Sequence, residues 1–296
     1  MNRADAVEAP PTGGIDLDGV LQRQKAAFGL DNHPDRTARL DRLSRLERMI
    51  VAHEVHFAEA IAADFGRRSA MVTSLTEVFT TRASIRHAKR HLRRWMQPRT
   101  VGVGWAFLPG RARILTQPLG VVGIIAPWNY PLQLMLSPLC GALAAGNRAM
   151  LKPSELTPRF AEALKLAVAQ TFAEDEVTVV TGGGDVAIAF SALAFDHLVF
   201  TGSTSVGRAV AEAAAKNLTP VTLELGGKSP AIIDASADIT VTAERLIWGK
   251  LLNSGQTCVA PDYALVPAAR IDDLVAALTA SARRQYPDSV TNPDYT

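Results

Sequence analysis

Between Arg113 and Arg148 the chain carries no charged side chain, and that stretch limits what it can become. A run of about 20 apolar residues can cross a bilayer. Here Pro118, Pro127, Pro131 and Pro138, with the polar Asn129 and Gln133, break the run into pieces. The segment therefore reads as a buried strand, a loop and a buried helix, and no membrane partner is expected. The chain beyond it keeps the same alternation. Strands are expected at 121–126, 149–152, 177–181, 197–201 and 221–225, with helices at 132–145, 157–172, 183–191 and 203–216 between them. Strands alternating with helices in this way indicate an α/β fold with a doubly wound, mostly parallel sheet. Thr157 is expected to cap its helix, with Pro158 at the first helical position.

Ahead of this region, helices are expected at 17–28, 34–64 and 71–95, then a short strand at 114–117. Leu40, Leu43, Leu46 and Ile50 share one stripe of the second helix. Residues 1–15, dense in Pro and Gly, are expected to form a disordered tail. After Ala231 a strand, a helix at 239–252, a strand at 263–267 and a helix at 271–284 read as the start of a second α/β unit. Two strands are too few for a sheet covered on both faces, so this unit is expected to be incomplete.

The balance of charge excludes some functions. The net charge of +2 gives no long-range field for a nucleic acid. Arg82, Arg86, Lys89, Arg90, Arg93, Arg94 and Arg99 form a basic run, read as a solvated helix face. His87 and His91 lie four apart on that helix, but no carboxylate stands between them as in H-E-x-x-H, and no metal is expected. Two cysteines and a non-apolar N-terminus fit a reducing, cytoplasmic setting.

Five segments carry possible chemistry. Thr201-Gly202-Ser203-Thr204-Ser205-Val206-Gly207 joins a strand to a helix, where free N–H groups favour an anion. It lacks the G-x-G-x-x-G spacing, and Arg208-Ala209 stand where a P-loop needs Lys and Ser/Thr. A plain strand–helix turn is the competing reading. Lys152-Pro153-Ser154-Glu155 ends another strand and could hold two ribose hydroxyls, or be a solvated strand end. Glu224 closes an apolar strand (Val221, Leu223, Leu225), so partial desolvation is expected to raise it towards general-base range. The alternative is a carboxylate paired with Lys228 or an arginine. Cys258 follows the small-residue loop Asn253-Ser254-Gly255-Gln256-Thr257 and is either substrate-accessible or a buried small hydrophobe. Cys140, inside an apolar helix, is expected to be structural. Asn129, between Pro127 and Pro131, has an amide that could donate to an oxyanion, or is a turn former.

In this order and spacing, the five segments resemble the aldehyde dehydrogenase superfamily, from about residue 17 to the end. Gln256-Thr257-Cys258-Val259-Ala260-Pro261-Asp262-Tyr263 is similar to its class 3-like branch. Ala63-Asp64-Phe65-Gly66, Arg90-His91-Leu92-Arg93-Arg94-Trp95-Met96 and the stretch 121–136 resemble bacterial coniferyl aldehyde dehydrogenases.

The resemblance implies oxidation of a small-molecule aldehyde with NAD, NADP being possible. Cys258 would be the nucleophile, Glu224 the general base and Asn129 the oxyanion donor. Trp128, Lys152, Glu155, Gly202, Ser203, Gly207 and Leu225 would bind cofactor. A catalytically dead nucleotide-binding fragment is the alternative. The resemblance also implies a division into residues 16–224, a cofactor domain including a bridging strand at 111–118, and residues 225–296, a partial catalytic domain. The family's later Glu-x-Phe-Gly-Pro motif and its homodimer-pairing C-terminal strand are not in this sequence. The bridging strand is therefore expected to lack its partner strand, and the chain alone to be poorly stable and weakly active or inactive.

Overall fold

The computed structural model describes residues 16–289 and 291–296; the expected disordered tail at 1–15 lies outside them. Helices α1 (Leu17–Leu30) and α2 (Arg36–Phe65) lead the described chain. Asp16 and Asp35 cap their first turns, accepting from Gly19 and Ala38 N–H. The third expected helix is not uniform. It consists of α3 (Ala70–Thr73), a π-helical turn (Ser74–Phe79) and α4 (Thr80–Trp95). Strands β1 (Arg99–Val101) and β2 (Ala112–Ile114) then form an antiparallel pair. This corrects the bounds of the expected strand, which ends at Ile114 rather than running to 117 or 118; β1, not expected from sequence, pairs with one of its edges.

The central sheet is built by β3 (Val121–Ile125), α5 (Gln133–Ala145), β4 (Arg148–Lys152), α6 (Pro158–Thr171), β5 (Val177–Val179), α7 (Gly184–Ser191), β6 (His197–Gly202), α8 (Thr204–Ala215) and β7 (Val221–Leu225). Its five strands are parallel, in the order β5-β4-β3-β6-β7. The chain starts in the middle, winds outward through β4 and β5, then returns to lay β6 against the other side of β3. The reversal point lies between β3 and β6, where their carboxyl ends diverge and leave a crevice.

Successive residues of β3 alternate between two cores, as a two-residue period requires. Val122 and Ile124 face one formed with α2, α4, α5 and α6, including Phe57, Leu92, Leu139 and Phe160. Val121 and Ile125 face the other, formed with α1, α7 and α8, including Leu21, Phe190 and Val210. The helix α6 is not capped by the Thr157 side chain, which turns to the Ser154 carbonyl. Asp64, at the end of α2, accepts from Arg159 and Phe160 N–H instead, at 3.1 and 2.9 Å. A carboxylate meets the positive end of the helix more strongly than a hydroxyl does.

Beyond the sheet, β8 (Ser229–Ile232) and β9 (Pro261–Leu265) pair in parallel, with α9 (Ile239–Leu251) and α10 (Ile271–Gln285) packed together. Ile232, Trp248, Leu265 and Val275 are all exposed, so this second α/β unit covers its own apolar surface incompletely. Among the described residues no helix is long and apolar enough to cross a membrane. On α4, Arg86 and Lys89 pair with Glu47 of α2, and His87 and His91 stack with each other and with Trp95.

Glu176, just before β5, locks α2 to the sheet by accepting from Arg45 Nη1 and Nη2 at 2.8 and 2.9 Å and from Arg42 Nε at 3.2 Å. Burial pushes its carboxyl up, but those hydrogen bonds and charges outweigh burial and hold it below the usual 4.5. A depressed folded value stabilises the fold above the unfolded value and is lost as pH falls through the folded one. The urea midpoint of the protein should therefore fall as pH drops below 4.5. Glu176→Gln should be less stable at neutral pH and lose less on acidification. An identical acid loss in this variant would show that the Glu176 cluster does not contribute.

Candidate active site

The expected site residues lie in loops, strand ends or the first turn of α8 at the carboxyl edge of the sheet, or in the segment that meets it from the second unit. The loop after β3 carries Trp128 and Asn129, the end of β4 carries Lys152 and Glu155, and β6 ends at Gly202. Ser203 caps α8, its Oγ accepting from Val206 N–H at 3.3 Å. Gly207 needs its missing side chain. A Cβ there would stand 2.8 Å from Leu225 Cδ2, so glycine lets α8 lie close on β7. Leu225 itself is paired in register with Gly202.

Between α7 and α8 lies a cleft of about 500 Å³. Its walls include Ile125, Ile188, Phe200 and Val206, and Glu155 stands at its rim. Lys152 is fully buried beside it, donating to the Pro153 carbonyl at 2.8 Å and lying 3.8 Å from Glu155. Burial pushes its ammonium below the usual range, and the Glu155 charge opposes that. The alternative of a solvated strand end does not hold for Lys152, though Glu155 is exposed.

The second unit reaches the sheet through the residues before Cys258. Asn253, Ser254 and Gly255 all have positive φ, at 52°, 54° and 75°, a left-handed turn that redirects the chain after α9. Asn253 is buried and donates through Nδ2 to the Asn129 carbonyl at 2.9 Å. Asn129 Nδ2 donates to the Gln256 carbonyl at 2.8 Å. The Tyr130 hydroxyl lies 2.7 Å from Thr257 Oγ1. The loop after β7 closes the third side, because a Cβ on Gly227 would stand 2.9 Å from the Cys258 carbonyl oxygen. The loops after β3 and β7 thus converge on one short segment. An amide has two N–H groups. One N–H of Asn129 is used to fix its own orientation, and the other remains to donate.

Cys258 is exposed, so of the two readings of this residue the accessible one holds. Cys140 is buried in α5, and desolvation pushes its thiol up to about 12. Glu224 departs from expectation. It is exposed rather than partly desolvated, because β7 is the edge strand of the sheet and its alternate residues face outward. Nor is it paired with Lys228, which reaches Asp262 at 3.2 Å. The carboxylate at this strand end is open to water.

Several residues had no role assigned from sequence: Asn253, Gln256, Thr257 and Gly227 around Cys258, and Arg68 and Glu77 behind Asn129. Arg68 Nη1 donates to the Asn129 carbonyl at 3.1 Å, and its Nη2 lies 2.9 Å from Glu77 Oε1. Asn253 stood in the same loop as the expected nucleophile, which was the available signal.

The profile of the aldehyde dehydrogenase family matches residues 7–294. The chain is 49% identical over 280 residues to a probable coniferyl aldehyde dehydrogenase of Pseudomonas aeruginosa, covering 95% of this chain and 59% of that protein. It is 46% identical over 287 residues to the coniferyl aldehyde dehydrogenase of a Pseudomonas species, covering 97% and 59%. Among solved structures, the substrate-bound AldH of Staphylococcus aureus superposes with a TM-score of 0.91 at 40% identity, over 95% of this chain and 61% of that one. A Mycobacterium tuberculosis aldehyde dehydrogenase complexed with NAD+ superposes with a TM-score of 0.79 at 31% identity, over 90% and 55%. The chain therefore spans about three fifths of the length of the curated relatives it matches.

The two cysteines should separate cleanly in reactivity. Iodoacetamide at neutral pH should alkylate Cys258 in the folded protein and reach Cys140 only after denaturation, as read by peptide mass spectrometry. Equal labelling of both thiols in the folded protein would contradict the burial of α5.

Proposed function

Because the chain belongs to the aldehyde dehydrogenase family, we propose that it oxidises an aldehyde to the carboxylic acid with NAD, through a covalent intermediate on Cys258. The observation that carries this reading is an exposed thiol two residues after Gln256, whose carbonyl accepts from the Asn129 amide, while the Asn129 main-chain carbonyl accepts from Asn253. The names of the relatives favour an aromatic aldehyde such as coniferyl aldehyde.

The cofactor fits the residues present. The cleft between α7 and α8 has the apolar walls that a purine ring needs. It leads to the Ser203-capped N-terminus of α8, whose free N–H groups suit a pyrophosphate. Gly202 and Gly207 keep that turn and helix close to the sheet, and Trp128, exposed on the loop after β3, and Leu225, at the end of β7, lie towards the reacting end. Lys152 and Glu155 are suited to the adenosine ribose. Glu155 repels a 2′-phosphate, and Lys152 is already held by the Pro153 carbonyl, so NAD is preferred over NADP.

The residues then divide the work. The Cys258 thiolate attacks the aldehyde carbon and forms a thiohemiacetal oxyanion. The unused N–H of Asn129 and the backbone N–H of Cys258 hold that oxyanion. NAD held in the crevice would supply the hydride acceptor that this oxidation needs, and the thiohemiacetal on Cys258 would become a thioester. Glu224, open to solvent at the end of β7, takes a proton from water. The water attacks the thioester, the acid leaves, and the thiolate is restored. The boundary between the cofactor unit and the catalytic unit falls after β7, at about residue 225.

Acyl-enzyme formation is the step to measure. With NAD and coniferyl aldehyde, Cys258→Ser should form no thioester, and Asn129→Ala should form it about a hundredfold more slowly. Glu224→Gln should form the thioester and accumulate it, visible as an acylated Cys258 peptide. Normal NADH production by Cys258→Ser would end the covalent reading.

A further inference from the structure

We propose that the buried ion pair of Arg68 and Glu77 is a positioning device that holds the Asn129 amide where it can meet the oxyanion; the proposal rests on the aldehyde-oxidising reading above. Both side chains are completely inaccessible to solvent. A buried ion pair seldom stabilises a fold more than apolar residues of the same size would, because both charges lose their hydration. Its presence here therefore calls for a reason other than stability.

The geometry supplies one. Glu77 sits in the π-helical turn, where the wider winding interrupts the α-helical phase between α3 and α4. It faces inward with no exposure, in line with the buried Thr73 and Thr81. Its Oε2 accepts from the N–H of Leu132 and of Gln133 at 2.7 and 3.2 Å, so the carboxylate caps α5. Its Oε1 faces Arg68 Nη2 at 2.9 Å. The guanidinium lies over the rings of Phe65 and Tyr130, at 4.7 and 5.2 Å, and Nη1 donates to the Asn129 carbonyl. The pair thus grips the loop after β3 on both sides of Pro131, at residue 129 and at residue 132. Burial pushes the Glu77 carboxyl up, and Arg68 with the two backbone N–H groups opposes it. Burial prevails, so the carboxyl is held above its ordinary value, while Arg68 and the two N–H groups favour its charged form.

Only the main chain of Asn129 is held by Arg68; the side chain is held by Gln256. An oxyanion donor must sit within a few tenths of an ångström of its acceptor to be effective, so loosening the main chain weakens catalysis without touching the thiol. Arg68 and Glu77 therefore act on the chemistry through the loop that carries Asn129.

The test is a double-mutant cycle on first-turnover thioester formation with NAD and coniferyl aldehyde. Arg68→Met with Glu77→Gln removes both charges and keeps a carbonyl to cap α5. It should slow thioester formation about tenfold or more, yet cost less than about threefold when Asn129 is already alanine. Alkylation of Cys258 by iodoacetamide, which forms no oxyanion, should stay within about twofold in every variant. Arg68→Lys, which keeps the charge but not the planar fork, should fall in between, and it carries the same cycle if the charge-free variant does not fold. A charge-free variant that forms thioester at the parent rate, or whose loss multiplies fully with that of Asn129→Ala, overturns the proposal and leaves the aldehyde-oxidising reading intact. An Asn129→Ala protein that forms thioester normally overturns the proposal at its base.

Discussion

At the junction of the two α/β units, one residue bonds in both directions. Asn129 accepts from Asn253 with its main-chain carbonyl and donates to Gln256 with its side chain. The first contact fixes where the loop after β3 lies, and the second fixes which way its amide points. Cys258 depends on both, because it sits on a two-stranded unit whose apolar faces are partly open and which has little core of its own. Its position relative to the nucleotide crevice is inherited from the five-stranded sheet through these bonds, the Tyr130–Thr257 contact and the close approach of Gly227.

That dependence explains where the molecule spends its buried polarity. The cores on either side of the sheet are almost wholly aliphatic and aromatic. Two charged groups with no exposure at all, Arg68 and Glu77, lie directly behind the loop that must be held. The other dense charge cluster, around Glu176, is partly open to solvent and ties helix to sheet far from the crevice. One cluster stabilises the scaffold, and the other sets an orientation. A buried pair that loses one partner leaves the remaining charge unpaired, at a cost of about 3–5 kcal/mol, so neither of the two residues can be neutralised alone without penalty.

Much of this architecture was legible in the sequence because hydrophobic period reports backbone geometry directly. The alternation between β3 and β7 gave strands and helices within a few residues of their observed bounds, and β7 at 221–225 coincides with expectation. Lateral position was not legible. Val221, Leu223 and Leu225 looked like a buried strand, yet β7 lies at the sheet edge and its Glu224 faces solvent. Strand order comes from crossovers, which no local pattern encodes. The cap of α6 was misassigned for the same reason, since Asp64 is distant in sequence from the helix it caps. Arg68 and Glu77 were invisible because charged side chains are ordinarily exposed, and the partners that let these two be buried lie far apart in sequence, at residues 129 and 132.

The left-handed turn before Cys258 ties these levels together. Gly255 adopts positive φ without cost, but Asn253 and Ser254 do not, and each costs on the order of 1 kcal/mol or more. Asn is among the side chains that tolerate this region best, and Asn253 recovers part of the strain through its buried bond to Asn129. A relaxed helical continuation of α9 would carry the chain past the crevice. It would leave the Gln256 carbonyl away from the Asn129 amide, and the amide would then be free to rotate. The strain is local, while its benefit is the fixed relation between a thiol on one unit and a donor on the other. Backbone held in a sparsely populated region therefore stands here at the one point where two independently wound units must agree on a position.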